Sequence, residues 1–137
     1  MIEGNYKIRI RYADTDQMGY VYYGRYANFY EIARVELFRK LGFSYKDLED
    51  KGVGMPVIEM KSKFLLPVRY DEEILIITHI KEIPKSKITF TYKLFNSDGL
   101  VVNEAKTVLT FIDLKRKKPV RIPAELMTII KKKFNDR

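Results

Sequence analysis

Side-chain polarity alternates strictly along the first part of the chain. Residues 6–12 place tyrosine or isoleucine at every second position, with lysine or arginine between them. A period of two is typical of a half-buried strand, so the pattern predicts a β-strand over these residues.

From residue 26 the apolar positions recur every three or four residues, which is the helical period. These positions are Tyr26, Phe29, Tyr30, Ala33, Leu37 and Leu41. The spacing predicts a helix from about Gly24 to Leu41, and Gly42 is a suitable C-terminal stop.

The rest of the chain predicts a short helix, four strands and a terminal helix. Ser44 and Asp47 form a capping-box pattern, and the helix that they start is expected to end near Gly52. The strand candidates span residues 57–66, 73–82, 88–95 and 100–112. The dense apolar run at 74–77 predicts a central strand, and the sequence N-S-D-G before the last candidate predicts a hairpin turn. Pro123 opens an amphipathic C-terminal helix.

This order of elements predicts an α+β fold. The four later strands are close enough in sequence for antiparallel pairing, so we expect them to form a meander. One antiparallel sheet would then carry a long helix on one face. The chain shows no internal repeat, low-complexity tract or linker, which predicts that residues 1–137 form a single domain.

The composition narrows the classes of function. The chain is 46% hydrophobic and 32% charged and lacks cysteine, which excludes disulfides, thiol catalysis and zinc–thiolate sites. Neither a signal-peptide pattern nor an apolar stretch long enough for an integral membrane segment is present, so we expect a cytoplasmic protein. The net charge of +8 suits a polyanionic small molecule, an acidic carrier protein, nucleic acid or an anionic membrane. It also suits a plainly solvated surface.

An acidic loop lies between the first predicted strand and the long helix. Asp14 and Asp16 occupy this loop, and Gly19 permits a tight turn after them. A carboxylate is thus expected just ahead of a helix N-terminus, whose unpaired N–H groups can polarise a carbonyl. That combination is suited to acyl-transfer chemistry.

The loop and helix resemble the 4-hydroxybenzoyl-CoA thioesterase family and its YbgC-like acyl-CoA thioesterase relatives. The shared pattern is an aromatic residue, D-x-D, a glycine, V-Y-Y, and a tyrosine-containing helix that ends in E-x-A-R. Here it comprises Tyr12, Asp14, Asp16, Gly19, Val21, Tyr22, Tyr23, Tyr26, Glu31, Ala33 and Arg34. The resemblance extends through the segments G-V-G-M-P-V and P-V-R-Y-D-E-E-I to the last strand. It implies a hotdog fold, with a five-stranded antiparallel sheet wrapped around the long helix, and a homodimer or homotetramer with active sites where subunits meet.

The resemblance also implies an activity, which is hydrolysis of short-chain, medium-chain or aromatic acyl-CoA thioesters. Asp16 would be the nucleophile or the general base, and the backbone N–H of Tyr23 would polarise the carbonyl. Gly19 and Tyr22 would border the substrate. An aspartate in such a loop more often caps a turn, which is the alternative for Asp16, and Asp14 is expected to order the loop in that way.

The nucleotide end of coenzyme A is assigned by the same resemblance to two basic segments. The predicted contacts are Lys85 and Lys87 before the fourth strand and Lys118 and Arg121 after the last one, with Ser86 and Lys117 beside them. Lysine runs are more often solvated surface. Acyl carrier protein is an alternative carrier, since it is also anionic.

Other residues carry simpler expectations. Tyr26 and Tyr30 are expected in the core, although a tyrosine cluster could also stack on bases, and Glu31 is expected to pair with Arg34. His79 is expected to be structural, without a metal or cofactor. The competing hypotheses are a hotdog dehydratase, which is disfavoured because His79 stands in a strand far from the loop motif, and a non-catalytic protein that binds acyl-CoA or RNA. The primary expectation includes no nucleic-acid partner.

Overall fold

The chain folds into a five-stranded antiparallel sheet with one long helix packed against it. The computed structural model describes residues 1–136. In chain order its elements are β1 (Ile2–Arg9), 3-10 turns at Tyr12–Asp14 and Tyr23–Arg25, α1 (Tyr26–Lys40), α2 (Tyr45–Asp50), β2 (Val53–Gly54), β3 (Val57–Phe64), β4 (Glu73–Ile80), β5 (Lys87–Phe95), β6 (Val101–Thr110), β7 (Ile112–Asp113), β8 (Lys118–Pro119) and α3 (Ala124–Asn135). The α+β prediction and the hotdog arrangement implied by the resemblance are confirmed.

The prediction that the four later strands form one meander is wrong for β3. The main sheet has the order β1-β4-β5-β6-β3, so only β4, β5 and β6 follow one another as hairpins. Because β1 pairs with β4 along its whole length, from Ile2 opposite Ile80 to Arg9 opposite Glu73, β3 has no free edge on that side. β3 pairs with β6 at the other edge of the sheet. β4 lies inside the sheet, as its apolar run predicted.

The first strand also differs from its prediction. It begins at Ile2 and ends at Arg9, whereas Tyr12 belongs to a 3-10 turn and is 79% exposed. The alternation continues past the strand because Ile10 remains buried beside it, and its N–H donates to the Glu72 carbonyl over 2.9 Å. The alternation of buried and exposed side chains therefore extends past the strand to Ile10 and ends before Tyr12.

Helix α1 supplies the core side chains that hold it on the sheet. Phe29, Tyr30, Leu37 and Phe38 are all buried, and Tyr30 stacks on Tyr92 of β5 with ring centroids 4.7 Å apart. Burying one such side chain contributes about 1.5–3 kcal/mol, so this face fixes the helix on the sheet. The prediction that Tyr26 and Tyr30 belong to the core is confirmed.

The predicted Glu31–Arg34 pair is wrong. Arg34 is buried, and its Nε donates to the hydroxyl of Tyr45 over 3.1 Å, whereas Glu31 is exposed. The spacing of three residues permits the pair on an isolated helix. In the folded chain α1 turns this side chain toward the interior, where the Tyr45 hydroxyl accepts its hydrogen bond.

His79 is held by a carboxylate of the neighbouring strand. Its Nε2 lies 2.7 Å from Glu3 Oε1, across the β1–β4 pair. Residues 1–136 contain no cluster of three histidine, aspartate or glutamate side chains suited to a metal ion. In the same residues no helix has both the length and the apolar character needed to cross a bilayer.

Candidate active site

Asp14 fixes the base of the acidic loop. Its Oδ2 accepts a hydrogen bond from the Arg11 N–H over 2.8 Å, and its Oδ1 lies 3.2 Å from Arg25 Nε. The Asp14 carbonyl accepts from the Tyr22 N–H over 2.9 Å. This buried carboxylate thus ties the start of the loop to the start of the long helix, which is the ordering role expected of it. The sequence analysis did not single out Arg25, its ionic partner.

Asp16 lies at the tip of a short hairpin. Its backbone N–H donates to the Tyr20 carbonyl over 2.9 Å, and Thr15 forms a bridge with Val21. Gly19 has a φ of +80°, a left-handed conformation that glycine adopts without strain, and its N–H closes the turn on the Asp16 carbonyl over 3.0 Å. The glycine therefore shapes the loop that carries the carboxylate.

Only one of the two carboxylate oxygens of Asp16 forms hydrogen bonds within this loop. Its Oδ1 accepts from the Met18 N–H over 2.9 Å and from the Tyr20 N–H over 3.4 Å. Within residues 1–136, its Oδ2 accepts no hydrogen bond and no ion pair involves the residue. The side chain is exposed. One carboxylate oxygen is thus oriented by the backbone while the other remains open to a reactant.

Tyr23 begins the helical segment just beyond the base of the same hairpin. Tyr22, which precedes it, has an extended backbone (φ −65°, ψ 135°), and no side chain caps the turn at Tyr23–Arg25. The first N–H groups of a helix have no acceptor within the helix, so those of Tyr23 and Gly24 are open donors. They carry the partial positive charge that attracts a developing oxyanion.

The two tyrosine rings border these donors. Tyr22 and Tyr23 are 45% and 67% exposed, with ring centroids 4.5 Å apart. Interaction with the neighbouring Tyr23 side chain raises the pKa of Tyr22. A Cβ added to Gly24 would lie 2.7 Å from Tyr22 Cε2, so the absence of a side chain here leaves room for the Tyr22 ring. The sequence analysis did not identify this requirement for glycine at position 24, although a glycine directly after two tyrosines indicates it.

The cleft beside the loop does not include the predicted catalytic groups. It has a volume of about 710 Å³ and is lined by Tyr12, Asp14 and Arg25, among others, but by neither Asp16 nor Tyr23. Both residues are exposed on the single chain. The structure therefore brings them onto one hairpin and helix start without enclosing them.

The predicted coenzyme A contacts are partly assembled. Lys85 and Arg121 line one cleft of about 410 Å³, because the Ile122 N–H donates to the Lys85 carbonyl over 2.7 Å and holds the two segments together. Lys87 lines a neighbouring cleft of about 230 Å³, and Lys118 is exposed on β8 and lines neither. Lys131 of α3 also lines the larger cleft. The sequence analysis did not single out Lys131, although the lysines in the last turns of the amphipathic helix could have indicated it.

These basic groups lie at the opposite end of the sheet from the acidic loop. We call the end where Arg9 faces Glu73 the loop end, and the end where Ile2 faces Ile80 the far end. The acidic loop follows β1 at the loop end, whereas residues 81–86 connect β4 to β5 at the far end. An eight-residue strand separates the two ends by roughly 25 Å. One chain thus does not place its basic contacts beside its own Asp16.

Comparison with known proteins adds independent findings. A family model described as "Thioesterase-like superfamily" matches residues 10–130. The chain is 34% identical over 115 residues to the putative acyl-CoA thioesterase YneP of Bacillus subtilis, covering 84% of this chain and 83% of that protein. It is 32% identical over 124 residues to the acyl-CoA thioester hydrolase YbgC of Escherichia coli, covering 90% of this chain and 92% of that one.

A solved structure is also similar. The DHNA-CoA thioesterase from Staphylococcus aureus superposes with a TM-score of 0.92 at 31% identity, over 96% of this chain and 91% of that one. The similarity therefore covers nearly the whole fold, including the hairpin and the start of α1.

Proposed function

Because the chain belongs to the thioesterase-like superfamily and is a thioester hydrolase, we propose that it hydrolyses acyl-CoA to a free acid and coenzyme A, with Asp16 and the Tyr23 N–H as its catalytic groups. One observation carries this proposal. A carboxylate with an open oxygen lies at the tip of a hydrogen-bonded hairpin, and an uncapped helix start follows just beyond the base of the same hairpin. The acyl group is proposed to be a short or medium chain or an aromatic ring.

The proposed chemistry begins with the thioester carbonyl at the helix start. The Tyr23 N–H donates to the carbonyl oxygen and stabilises the negative charge that develops there. Asp16 Oδ2 then either attacks the carbonyl carbon or removes a proton from an attacking water. Direct attack expels the thiolate and leaves a mixed anhydride, which water hydrolyses, whereas general-base catalysis forms the acid in one addition and elimination. Both routes give the same products.

A homodimer would complete the site, and we propose that it forms through β3. This strand is an edge of the sheet, and its apolar side chains Ile58, Met60 and Phe64 are each about half exposed. An unpaired edge with exposed apolar side chains favours pairing with another strand. In an antiparallel pair of two β3 strands, the far end of one chain lies beside the loop end of the other. The dimer would thus bring Lys85 and Arg121 of one chain toward Asp16 of the second.

The catalytic proposal is tested by replacing Asp16 with asparagine. Asp16→Asn keeps the shape and removes the charge, so kcat on a reactive acyl-CoA is expected to fall by about 10²–10⁴-fold. Asp98→Asn is the matched control, because Asp98 is also an exposed turn aspartate, in the β5–β6 hairpin, and it should retain wild-type activity. Near-wild-type hydrolysis by Asp16→Asn would show that this carboxylate is not catalytic. Single-turnover hydrolysis in isotopically labelled water identifies direct attack when label enters Asp16, because general-base catalysis places label only in the released acid.

The shared site is tested by mixing two inactive variants. Asp16→Asn removes the carboxylate, and Lys85→Glu/Arg121→Glu removes the basic contacts. In a mixed dimer one site contains both defects and the other contains none, so random mixing should restore about one quarter of wild-type activity at low substrate concentration. If each chain supplied a whole site, mixing would restore nothing, and the shared-site proposal would fail. The same mixture kept below the dimer dissociation concentration is the control.

A further inference from the structure

The segment that leads into β4 is held firmly at the loop end of the sheet. We call residues 68–72 the platform. The Asp71 N–H donates to the Ile10 carbonyl over 3.0 Å, and the Ile10 N–H donates to the Glu72 carbonyl over 2.9 Å. Glu72 Oε1 accepts from the Arg69 N–H over 3.1 Å, and the Glu72 N–H returns to the Arg69 carbonyl over 3.3 Å. The backbone at Arg69 is therefore fixed. The platform belongs to the P-V-R-Y-D-E-E-I motif, which the proposed chemistry leaves without a role.

The hairpin that carries Asp16 rests on this platform along one side. The Val21 N–H donates to the Val68 carbonyl over 2.8 Å, and both valine side chains are buried. Tyr20 forms an antiparallel bridge with Arg69. Asp16 itself lies farther out, at the exposed tip. The base of the hairpin is thus anchored, while the tip projects from the protein.

The Arg69 side chain braces the hairpin toward its tip. Its guanidinium carbon lies 5.0 Å from the centroid of the Tyr20 ring, and its Nη2 lies 3.4 Å from the Tyr20 hydroxyl. A guanidinium over a tyrosine face is attracted by the ring quadrupole. Among the ion pairs of residues 1–136 Arg69 takes part in none, although it is exposed and a carboxylate could reach it. Its side chain is therefore directed to Tyr20.

Tyr20 connects this brace to the Asp16 carboxylate. Its N–H donates to Asp16 Oδ1 over 3.4 Å, and its carbonyl accepts from the Asp16 N–H over 2.9 Å. A shift of Tyr20 would therefore move both the backbone and the side chain of Asp16. A displacement of about 1 Å in a reacting group can lower a rate by about 10²-fold. The position of Tyr20 thus bears directly on the reaction.

We propose that Arg69 is a positioning residue for hydrolysis. By holding the Tyr20 ring on the platform, it keeps Asp16 Oδ1 bound to the hairpin and Oδ2 directed to the reactant. This inference rests on the proposed function, because the position of the carboxylate affects the rate only if Asp16 acts on the thioester. Arg69 itself does not touch the substrate.

The kinetic test removes the cation and compares it with a cation–ring contact elsewhere. In Arg69→Gln we expect kcat on hexanoyl-CoA to fall by about 5–100-fold, from the strength of an exposed cation–ring contact at the lower limit to the cost of a misplaced carboxylate at the upper. KM should change less than about twofold. Arg69→Lys keeps a cation over the ring and should recover most of kcat. Lys51→Gln is the matched control, because Lys51 Nζ lies 5.5 Å from the centroid of Phe43, away from the hairpin, and it should keep wild-type activity.

A double-mutant cycle tests whether Arg69 acts through Tyr20. Tyr20→Leu should lower kcat as Arg69→Gln does, and the double variant should lose no more than either single variant. Losses that multiply in the double variant would show that the two residues act independently. A raised KM with unchanged kcat in Arg69→Gln would show contact with the substrate. Either result would overturn the positioning role.

Hydrogen exchange keeps this inference separate from the catalytic one. The amide hydrogens of Met18, Gly19 and Tyr20, which are bonded within the hairpin, should exchange faster in Arg69→Gln than in the wild-type protein or Lys51→Gln. Unchanged exchange would overturn the brace, and faster exchange with wild-type kcat would overturn its role in positioning. Full activity of Asp16→Asn would instead refute the catalytic proposal, and the exchange result would not depend on it.

Discussion

The proposed role of the Tyr23 backbone can be tested by removing a single N–H group. Tyr23→Pro does this, because proline has no N–H and fits the first position of a helix. Proline also requires an extended residue before it, and Tyr22 already has φ −65° and ψ 135°. Since no side chain caps this turn, the substitution removes no hydrogen bond to a cap. We therefore expect the fold to tolerate it.

The expected loss of kcat in Tyr23→Pro follows from the number of N–H donors that remain at the helix start. The Gly24 N–H is still open in the variant, so the helix start keeps part of its positive charge. Loss of one of two oxyanion donors typically lowers kcat by about 10²–10³-fold, or about 2.7–4 kcal/mol of transition-state stabilisation. KM should change little, because the donor acts on charge that develops in the transition state.

The assay is steady-state hydrolysis of one acyl-CoA, followed by release of the free thiol. Tyr23→Ala and Tyr23→Phe are the matched controls, since both keep the N–H while changing the side chain. Circular dichroism and urea unfolding establish that Tyr23→Pro is folded. If the folded proline variant hydrolyses substrate as fast as Tyr23→Ala, the N–H does not polarise the carbonyl. If Tyr23→Ala loses as much activity as Tyr23→Pro, the side chain accounts for the loss.

Two further predictions concern the dimer and the buried tyrosines. Met60→Glu introduces a charge on the exposed apolar edge of β3, so light scattering should show a shift from dimer to monomer and hydrolysis should fall with it, whereas Lys61→Glu on the opposite face of the strand should remain dimeric. A Met60→Glu protein that is still a dimer would exclude pairing through this edge. Burial raises the pKa of Tyr26, Tyr30 and Tyr45 to about 12 each. In the unfolded chain these hydroxyls ionise at the ordinary pKa of about 10, so their contribution to the free energy of unfolding is expected to be complete below about pH 10 and to fall as the pH rises to about 12. Urea unfolding across this range measures it, and a flat profile would contradict the burial of these hydroxyls.

The elements that sequence analysis predicted well are those set by nearby residues. Helix α1 follows from the apolar period, and the Ser44 side chain accepts a hydrogen bond from the Asp47 N–H over 3.1 Å, as a capping residue should. The β5–β6 hairpin follows from its turn, where Gly99 has a φ of +78°. Each of these features is fixed within a few residues, so a local pattern contains the information that determines it.

The errors concern contacts between distant residues. The position of β3 depends on which sheet edge β1 leaves free, and no local pattern contains that information. The direction of Arg34 depends on Tyr45, which approaches only after α2 has packed. The same limit applies to the proposed site. The acidic loop with Asp16 ahead of the helix start at Tyr23 is local and was predicted, whereas its separation from Lys85 by the length of the sheet depends on strand order.

The proposed dimer through β3 accounts for the exposure of Asp16 on a single chain. A carboxylate, two open N–H donors and two exposed tyrosine rings lie at the loop end, while the basic clefts lie at the far end. Rotation of a second chain about an antiparallel β3 pair reverses these ends and brings unlike halves together on both sides of the interface. One interface would then create two equivalent sites, each with a catalytic half from one chain and a basic binding half from the other.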